Sequence, residues 1–508
     1  MNHTAETLPD NTALLKEIIL KQAQRIASLE EFIRLEKQQR YGASSEKSVD
    51  QGELFNEAEA IVEESVAHED VAVEIGVGDN AIAPKSKPVR KPLPAELPRI
   101  RQVYELPLEE RHCACGCTLT EIGEEISEQL EVIPAQLRVI QHVRKTYACK
   151  GCEENIKTAD KPPQLLPKSN ASAATLAYAI TAKYQDGLPL YRLSNILQRA
   201  GIELSRQTLS DWVINTAERL MPVIQQLQQM LHQGPVIHCD ETRVQVLHEP
   251  DKPPQSNSYM WVQRGGPVKK PIILFHYDSS RSGQVPLRLL NGYQGALMTD
   301  GYEGYNAIAQ QSGVTHLCCL VHLRRKFIEA QKALPANAKS GKVDIAISYI
   351  AKLYAIEQQH SQSDSTTRHQ ARQEQSLPLL QQFKAWLEKT QQGVLPKGKL
   401  GEAIAYAQKY WGKLIRYTEN GDWPIDNNPA ENAIRPFVIG RKNWLFSNTI
   451  KGANASAVLY SLIETAKANR HEPYHYLRWL FTELPKTAAG EIERLMPWAV
   501  EPLAIRVI

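Results

Sequence analysis

The spacing of apolar residues divides this chain into regions of different texture. Over residues 13–36, Leu15, Ile19, Ile26, Leu29 and Ile33 recur at alternating steps of four and three, with Gln22 as a polar member of the same seam. That is the pattern of a coiled coil, so residues 1–48 read as a zipper helix pairing two copies of the chain. An amphipathic helix packed on its own protein is the alternative. Residues 49–97 are first acidic and rich in Ala, Val and Glu, then rich in Pro, Lys and Arg, without a sustained period. They read as a flexible linker. Helical spacing returns in residues 166–232. Apolar positions across 191–200 predict one helix, Gly201-Ile-Glu-Leu204 a turn, and Ser205 the cap of a second helix beginning at Arg206. This fits a helix-turn-helix that presents Arg206, Gln207 and Ser210 to DNA and turns Leu209, Trp212 and Val213 inward. An ordinary helical hairpin has the same pattern.

Strand-like runs follow at 236–246, 258–263 and 271–277, then a helical piece at 285–290 and a strand from Ala296 that ends at Asp300-Gly301. Three strands joined by short turns, then a helix and a strand, is the layout of an RNase H-like α/β core, with residues 233–332 as its first part. Residues 315–327 pass from a strand into a basic helix. Residues 333–420 are helical, with a Gln/Ser/Thr-rich gap near 358–376, and read as an insertion into the core. The second part of the core is then 421–465. The amphipathic helices at 455–470 and 474–484 read as a packing or protein-contact appendage, 466–508. The predicted fold class is multidomain α/β.

Composition changes this picture little. A chain of 508 residues is too long for one core. A net charge of +2 leaves nucleic-acid binding to local basic patches. The polar start is no signal peptide and no apolar run spans a bilayer, so a cytoplasmic protein is expected, with no membrane partner. Five of the eight cysteines lie between Cys113 and Cys152, and a reducing compartment favours metal over disulfides. Cys113-Ala-Cys115-Gly-Cys117 and Cys149-Lys-Gly-Cys152 flank strand-like sequence at 133–147, as in a zinc ribbon or knuckle, residues 98–165. Cys113, Cys115, Cys149 and Cys152 are the favoured Zn²⁺ ligands, with Cys117 and His112 as competitors for the first pair. Cys319-x-x-His322 offers two further ligand types, but two ligands are not a site.

Candidate chemistry gathers on carboxylates. Asp240 lies inside an apolar strand, where an acid needs a partner or a metal. Asp300 closes the fourth strand, and Glu431 begins a helix in Asp426-Asn-Asn-Pro-Ala-Glu431. Two readings are open at Glu431: a metal-binding acid beside the phosphate-binding cations Arg435, Arg441 and Lys442, or the third residue of a capping box started by Asn428. Glu303 and Asp426 are the next candidates for a third acid.

Taken together, the chain resembles the bacterial transposases of the insertion sequence 66 group. The resemblance covers nearly the whole chain. It rests on Arg40-Tyr-Gly-Ala-Ser-Ser-Glu-Lys47, the cysteine module with Ile133-Pro-Ala-Gln136, Leu188-Pro-Leu-Tyr-Arg192 and His238-Cys-Asp240-Glu-Thr242. Most specific are Asp300-Gly-Tyr-Glu-Gly-Tyr305, Cys319-Leu-Val-His322-Leu-Arg-Arg-Lys-Phe327 and Asp426-Asn-Asn-Pro-Ala-Glu431-Asn-Ala-Ile-Arg-Pro436. Many relatives open the cysteine module with Cys-x-x-Cys, whereas this chain has Cys-x-Cys-x-Cys. The resemblance implies a catalytic Asp-Asp-Glu set of Asp240, Asp300 and Glu431 that binds two Mg²⁺ ions, cleaves DNA at element ends and joins the 3′-hydroxyl to target DNA. Expected partners are those DNAs and a second copy of the chain, with room for helper proteins encoded by the element. The competing readings are a non-catalytic DNA-binding regulator and an RNase H-like nuclease without strand transfer.

Overall fold

The computed structural model describes residues 11–41, 101, 137–148, 156–310, 313–334 and 341–501. His112 and the candidate zinc ligands Cys113, Cys115, Cys117, Cys149 and Cys152 lie outside the described residues. Contacts divide the chain into one unit of Met1–Glu74 with Pro163–Leu503 and another of Ile75–Pro162 with Ala504–Ile508.

Helix α1 runs unbroken over Thr12–Tyr41. Its seam residues Ile19, Ile26, Leu29 and Ile33 are 50–64% exposed. In the second unit, β1 (Thr146–Ala148) pairs antiparallel with β2 (Ile156–Thr158). The strand expected over 133–147 is realised, among the described residues, only from Thr146 onward. Val139 and Val143 are 87% and 80% exposed, so β-propensity there has no packing surface to act on.

The first unit continues with α2 (Ala173–Tyr184), α3 (Leu190–Arg199), α4 (Arg206–Arg219) and α5 (Met221–Leu231). Between α3 and α4 the chain turns at Gly201, whose φ of +86° suits a residue without a Cβ. Ser205 Oγ accepts from Thr208 N at 3.0 Å and caps α4. Leu209, Trp212 and Val213 are buried, while Arg206 and Gln207 are exposed and Ser210 half-buried. The helical pair and its inward face are therefore as expected. The second helix runs past Ile214 because Thr216 and Ala217 extend its buried stripe.

A six-stranded mixed sheet is the centre of this unit. Its strands are β3 (Val236–His248), β4 (Asn257–Gly265), β5 (Ile272–Asp278), β6 (Gly295–Thr299), β7 (Val314–Cys318) and β8 (Ser447–Thr449), with α6 (Gln284–Leu289) between β5 and β6. The order is β5-β4-β3-β6-β7, with β8 also on β3. The first three strands are antiparallel neighbours, and β6, β7 and β8 join in parallel. Helix α7 (Leu320–Lys332) follows β7.

The insertion contains α8 (Lys342–Gln359), α9 (Ser365–Ala371), α10 (Leu377–Gln391) and α11 (Lys399–Leu414). The gap expected near 358–376 is mostly helix. Asp364 Oδ1 caps α9 by accepting from Thr367 N at 2.7 Å, and a π-helical turn, Arg372–Ser376, leads into α10. Its anchor is not apolar. Arg372 is 2% exposed, paired with Glu357 at 2.5 Å and donating to the carbonyls of Tyr417 and Asn420. A pattern of apolar spacing does not register such a contact.

After the insertion come α12 (Asn428–Trp444), β8, α13 (Ile450–Ala468) and α14 (Pro473–Glu483). The last two are not peripheral. From Ala455 to Ala466 every residue of α13 is buried. Edge strand β5 leaves backbone groups unpaired, and α13 satisfies them. Ser461 Oγ accepts from Phe275 N at 2.7 Å, and Thr465 Oγ1 bonds both the N–H and the carbonyl of Ile273. Ser461 and Thr465 lie at the end of the predicted second part of the core, 421–465, on a helix whose spacing by itself reads as an amphipathic packing element.

Candidate active site

Strand β3 changes partner along its length. Val236, Ile237 and His238 pair with β6, and Val246 and His248 pair with β8. Between these ladders one edge of β3 is open, and Asp240 lies in that stretch. The carbonyls that a neighbouring strand would otherwise engage take side-chain donors instead. Asn427, the N-cap of α12, donates from Nδ2 to Cys239 O at 2.9 Å. Arg441, in the last turn of the same helix, donates to the carbonyl of Arg243 and, at 3.2 Å, to Thr242 Oγ1. Helix α12 thus fills the interrupted ladder, and Glu431 rides on its first turn.

Asn427 is fully buried and its other atom is also used. Because Nδ2 donates to Cys239, Oδ1 accepts, and the partner is the Nδ1–H of His238 at 3.1 Å. Burial pushes the His238 pKa down to about 4, so this bond involves a neutral imidazole. Backbone N of Asn427 donates to Cys319 Sγ at 3.1 Å. The capping-box alternative for Glu431 does not match this geometry. The cap residue is Asn427, and Asn428 turns its amide to Asp426 Oδ2 at 3.3 Å.

Asp300 follows β6 directly. Its Oδ1 accepts from Tyr302 N at 2.8 Å, which shapes the turn. The insertion clamps that turn from outside. Tyr410 donates to Gly301 O at 2.6 Å, Lys413 to Asn306 Oδ1 at 2.7 Å, and Lys409 pairs with Glu303. A side chain at Gly301 would collide with Tyr406 and Tyr410, so the approach requires glycine.

The three expected acids are brought together. Burial raises the Asp240 pKa well above the usual carboxylate range, and the negative charges of Glu241, Asp300 and Glu431 raise it further. Burial raises Asp300 as well, opposed by the Tyr302 N–H and by Arg281 and Arg325. Glu431 is 5% exposed, with Oε1 lying 3.6 Å from His322 Nδ1 and Oε2 lying 3.7 Å from Arg325 Nη2. Of the other candidate acids, Glu303 is exposed on its lysine partner, and Asp426 is half-buried and accepts from Asn428 N at 3.1 Å.

Among the expected phosphate-binding cations, Arg441 is committed to β3, and burial lowers its pKa. Arg435 is half-buried and Lys442 exposed. On the helix-turn-helix, Gln207 Nε2 donates to Asp211 Oδ1 at 2.8 Å, one turn along the same helix.

Glu241 carries no role in the sequence pattern, yet the fold places it at the acid cluster. It is buried beside Asp240, accepts from Tyr305 Oη at 2.7 Å and is gripped by Arg281 at 2.6 and 2.9 Å. Burial and Asp300 raise its pKa. The available signal was the Asp-Glu doublet itself: neighbouring acids on a strand point to opposite faces, so both faces of β3 must be covered. Asn427 gave no such signal, because Asp-Asn-Asn-Pro reads as a turn.

Residues 168–455 match the family described as "Transposase IS66 family", and residues 110–153 its "zinc-finger binding domain of transposase IS66". Residues 461–498 match the "IS66 C-terminal element", and residues 28–101 match "Transposase C of IS166 homeodomain". Among curated proteins, the chain is 31% identical over 426 residues to "Uncharacterized protein y4jD" of Sinorhizobium fredii (strain NBRC 101917 / NGR234), covering 80% of this chain and 81% of that protein. It is 31% identical over 519 residues to "Uncharacterized protein y4qI" of the same organism, covering 97% and 92% of the two chains. The zinc-finger match agrees with structural zinc in the cysteine module. Among the described residues no helix is long and apolar enough to cross a membrane. The family match spans the sheet, both aspartates, the insertion and Glu431: this chain belongs to the IS66 family of transposases.

Proposed function

We propose that Asp240, Asp300 and Glu431 form the catalytic carboxylate set of a Mg²⁺-dependent DNA transposase that cuts element ends and joins them to target DNA. The observation that carries this reading is the convergence of acids from a strand, a turn and a helix, close enough for Asp300 and Glu431 to raise the pKa of Asp240. The sheet order β5-β4-β3-β6-β7, with parallel addition after β3, supports an RNase H-like assignment. One buried and two half-buried carboxylates form a hard oxygen donor set with excess negative charge, which fits magnesium. Bound there, the ions would supply an activated water or 3′-hydroxyl and a stabilised leaving oxygen. Glu241, paired with Arg281 and hydrogen-bonded by Tyr305, would stay structural and hold Asp240 in place through its backbone N–H, which donates to Asp240 Oδ1 at 2.8 Å. Arg206 and Gln207 on the exposed start of α4 fit DNA contact. The uncovered seam of α1 fits pairing with a second copy, and Cys113, Cys115, Cys149 and Cys152 are the zinc ligands we favour.

The test is purified protein with labelled DNA carrying the ends of its own element, with and without Mg²⁺. End cleavage and joined products that require the metal are expected. Binding without any metal-dependent product would favour a non-catalytic regulator, and cleavage without joining a simple nuclease.

A further inference from the structure

Cys319 and His322 offer two ligands of zinc type, and the fold brings a third donor to them. The ligand atoms of Cys319, His322 and Glu431 all lie within 4.8 Å of one another. Cys319 starts α7, His322 sits in its first turn, and Glu431 sits in the first turn of α12. We propose that these three residues form a second transition-metal site, for Zn²⁺ or a cation of similar softness, separate from the cysteine module and sharing Glu431 with the acid set.

Several features fit a cation there. Thiolate, imidazole and carboxylate together are a borderline-soft set that suits zinc and does not suit magnesium. Three protein ligands leave a fourth position open, as in zinc sites that bind an exchangeable group. His322 Nδ1 is enclosed by protein and makes no hydrogen bond. As a neutral imidazole it offers a lone pair at the nitrogen that lies 3.6 Å from Glu431 Oε1. Cys319 is fully buried, and burial with the charges of Asp426 and Glu431 keeps it a thiol. Metal binding would form a sulfur–metal bond and release that one proton to solvent. The Asn427 N–H already points at the sulfur at 3.1 Å and would stabilise the thiolate. Tetrahedral zinc needs ligand separations of roughly 3.3–3.6 Å, so the trio must contract by about 1 Å. Arg325 lies against Oε2 of Glu431 while Oε1 faces the imidazole, so the carboxylate has an oxygen directed toward each.

The site has a consequence for the proposed chemistry. A soft cation held by Cys319 and His322 would draw Glu431 from Asp240 and Asp300, making zinc an antagonist of magnesium at the same carboxylate. That consequence rests on the proposed catalytic role of Glu431, whereas binding itself does not.

Cobalt titration tests binding without recourse to cleavage. Full-length protein, its cysteine module saturated with Zn²⁺, is titrated with Co²⁺ in magnesium-free buffer. The expected result is a saturable near-ultraviolet thiolate-to-cobalt band with visible bands of tetrahedral cobalt, at one equivalent per chain. Cys319→Ser should abolish the thiolate band. His322→Gln should retain the fold and weaken cobalt binding by more than the roughly 10–100-fold that loss of an outer-shell partner costs. No saturable band in the wild type, or the same band and affinity in both variants, overturns the site. If Cys319→Ser does not fold, His322→Gln decides alone. A positive titration with an inactive wild-type protein would count against the catalytic reading and leave the metal site standing.

Discussion

The two sides of the acid cluster are held by different means. Asp240 and Asp300 belong to β3 and to the end of β6, adjacent strands in one sheet, and backbone ladders set their separation. Glu431 belongs to a helix that returns only after the whole insertion, and no ladder runs through its position. Its placement depends on side chains: Asn427 on Cys239 and His238, Arg441 on Arg243, and Arg325 beside the carboxylate. A sheet distributes its restraint over many bonds, whereas the start of α12 is set by a few polar contacts, Arg264 on the Pro429 carbonyl among them, above a buried apolar face of Ala430, Ala433, Ile434 and Phe437, so one substitution at those contacts can shift it. Even on the sheet side the insertion takes part, because Tyr410 and Lys413 hold the turn that follows Asp300.

Replacing the acids should give the largest effects and show whether the two sides are equivalent. Asp300→Asn and Glu431→Gln are each expected to lower cleavage by about a thousandfold or more, since metal ions contribute several kcal/mol to such transition states. End binding should persist in a mobility-shift assay. The melting temperature of Glu431→Gln should equal or slightly exceed that of wild type in magnesium-free buffer, because a like charge near Asp240 is gone. An active Glu431→Gln protein would move the third acid elsewhere, with Asp426 next in line.

Asn427→Ala tests the side-chain tether. It leaves the Cys239 carbonyl and the His238 Nδ1–H buried without partners, at about 1–3 kcal/mol each in unfolding experiments. Helix α12 should then drift, and cleavage should fall by about a hundredfold, the scale of an ångström of misplacement. A variant that loses stability but keeps full activity would show that Glu431 is positioned by other contacts.

The pH dependence of stability separates the charge clash from the packing. Burial and the neighbouring acids raise the folded-state pKa of Asp240, so its titration withdraws stability above the unfolded value of 3.8. That penalty is complete above the folded pKa and disappears as pH falls through it toward about 3.8. Buried neutral histidines such as His238 and His322 act oppositely, withdrawing stability as pH falls below about 6.5. The informative quantity is therefore the difference in unfolding free energy between wild type and Asp240→Asn. It should favour the variant at neutral pH and shrink on acidification without magnesium. A difference that does not change with pH would mean that Asp240 is solvated and clear of the other acids in solution.

The smallest effect is expected on the sheet side. Tyr410→Phe removes one hydrogen bond to Gly301, worth about 1 kcal/mol, and should slow cleavage only a few-fold. A loss as large as that of Asn427→Ala would mean that the insertion, and not the sheet, sets the position of Asp300.

Much of this was determined by the sequence alone. Strand-like apolar runs located the central strands, helical spacing and Ser205 located the helix-turn-helix, and an acid in an apolar strand marked Asp240. These signals are local: a strand's alternation and a helix's cap are written within a few residues of each other. Tertiary structure decided what depends on residues far apart in the chain. It made α13 the closure of the sheet edge, because Ser461 and Thr465 meet β5 across nearly two hundred residues. It gave the gap in β3 to Asn427 and buried Arg372 where apolar spacing showed nothing. It also joined Cys319 and His322 to Glu431. Burial turns a polar side chain from a surface residue into an anchor, and burial is a property of what the rest of the chain places on top of it.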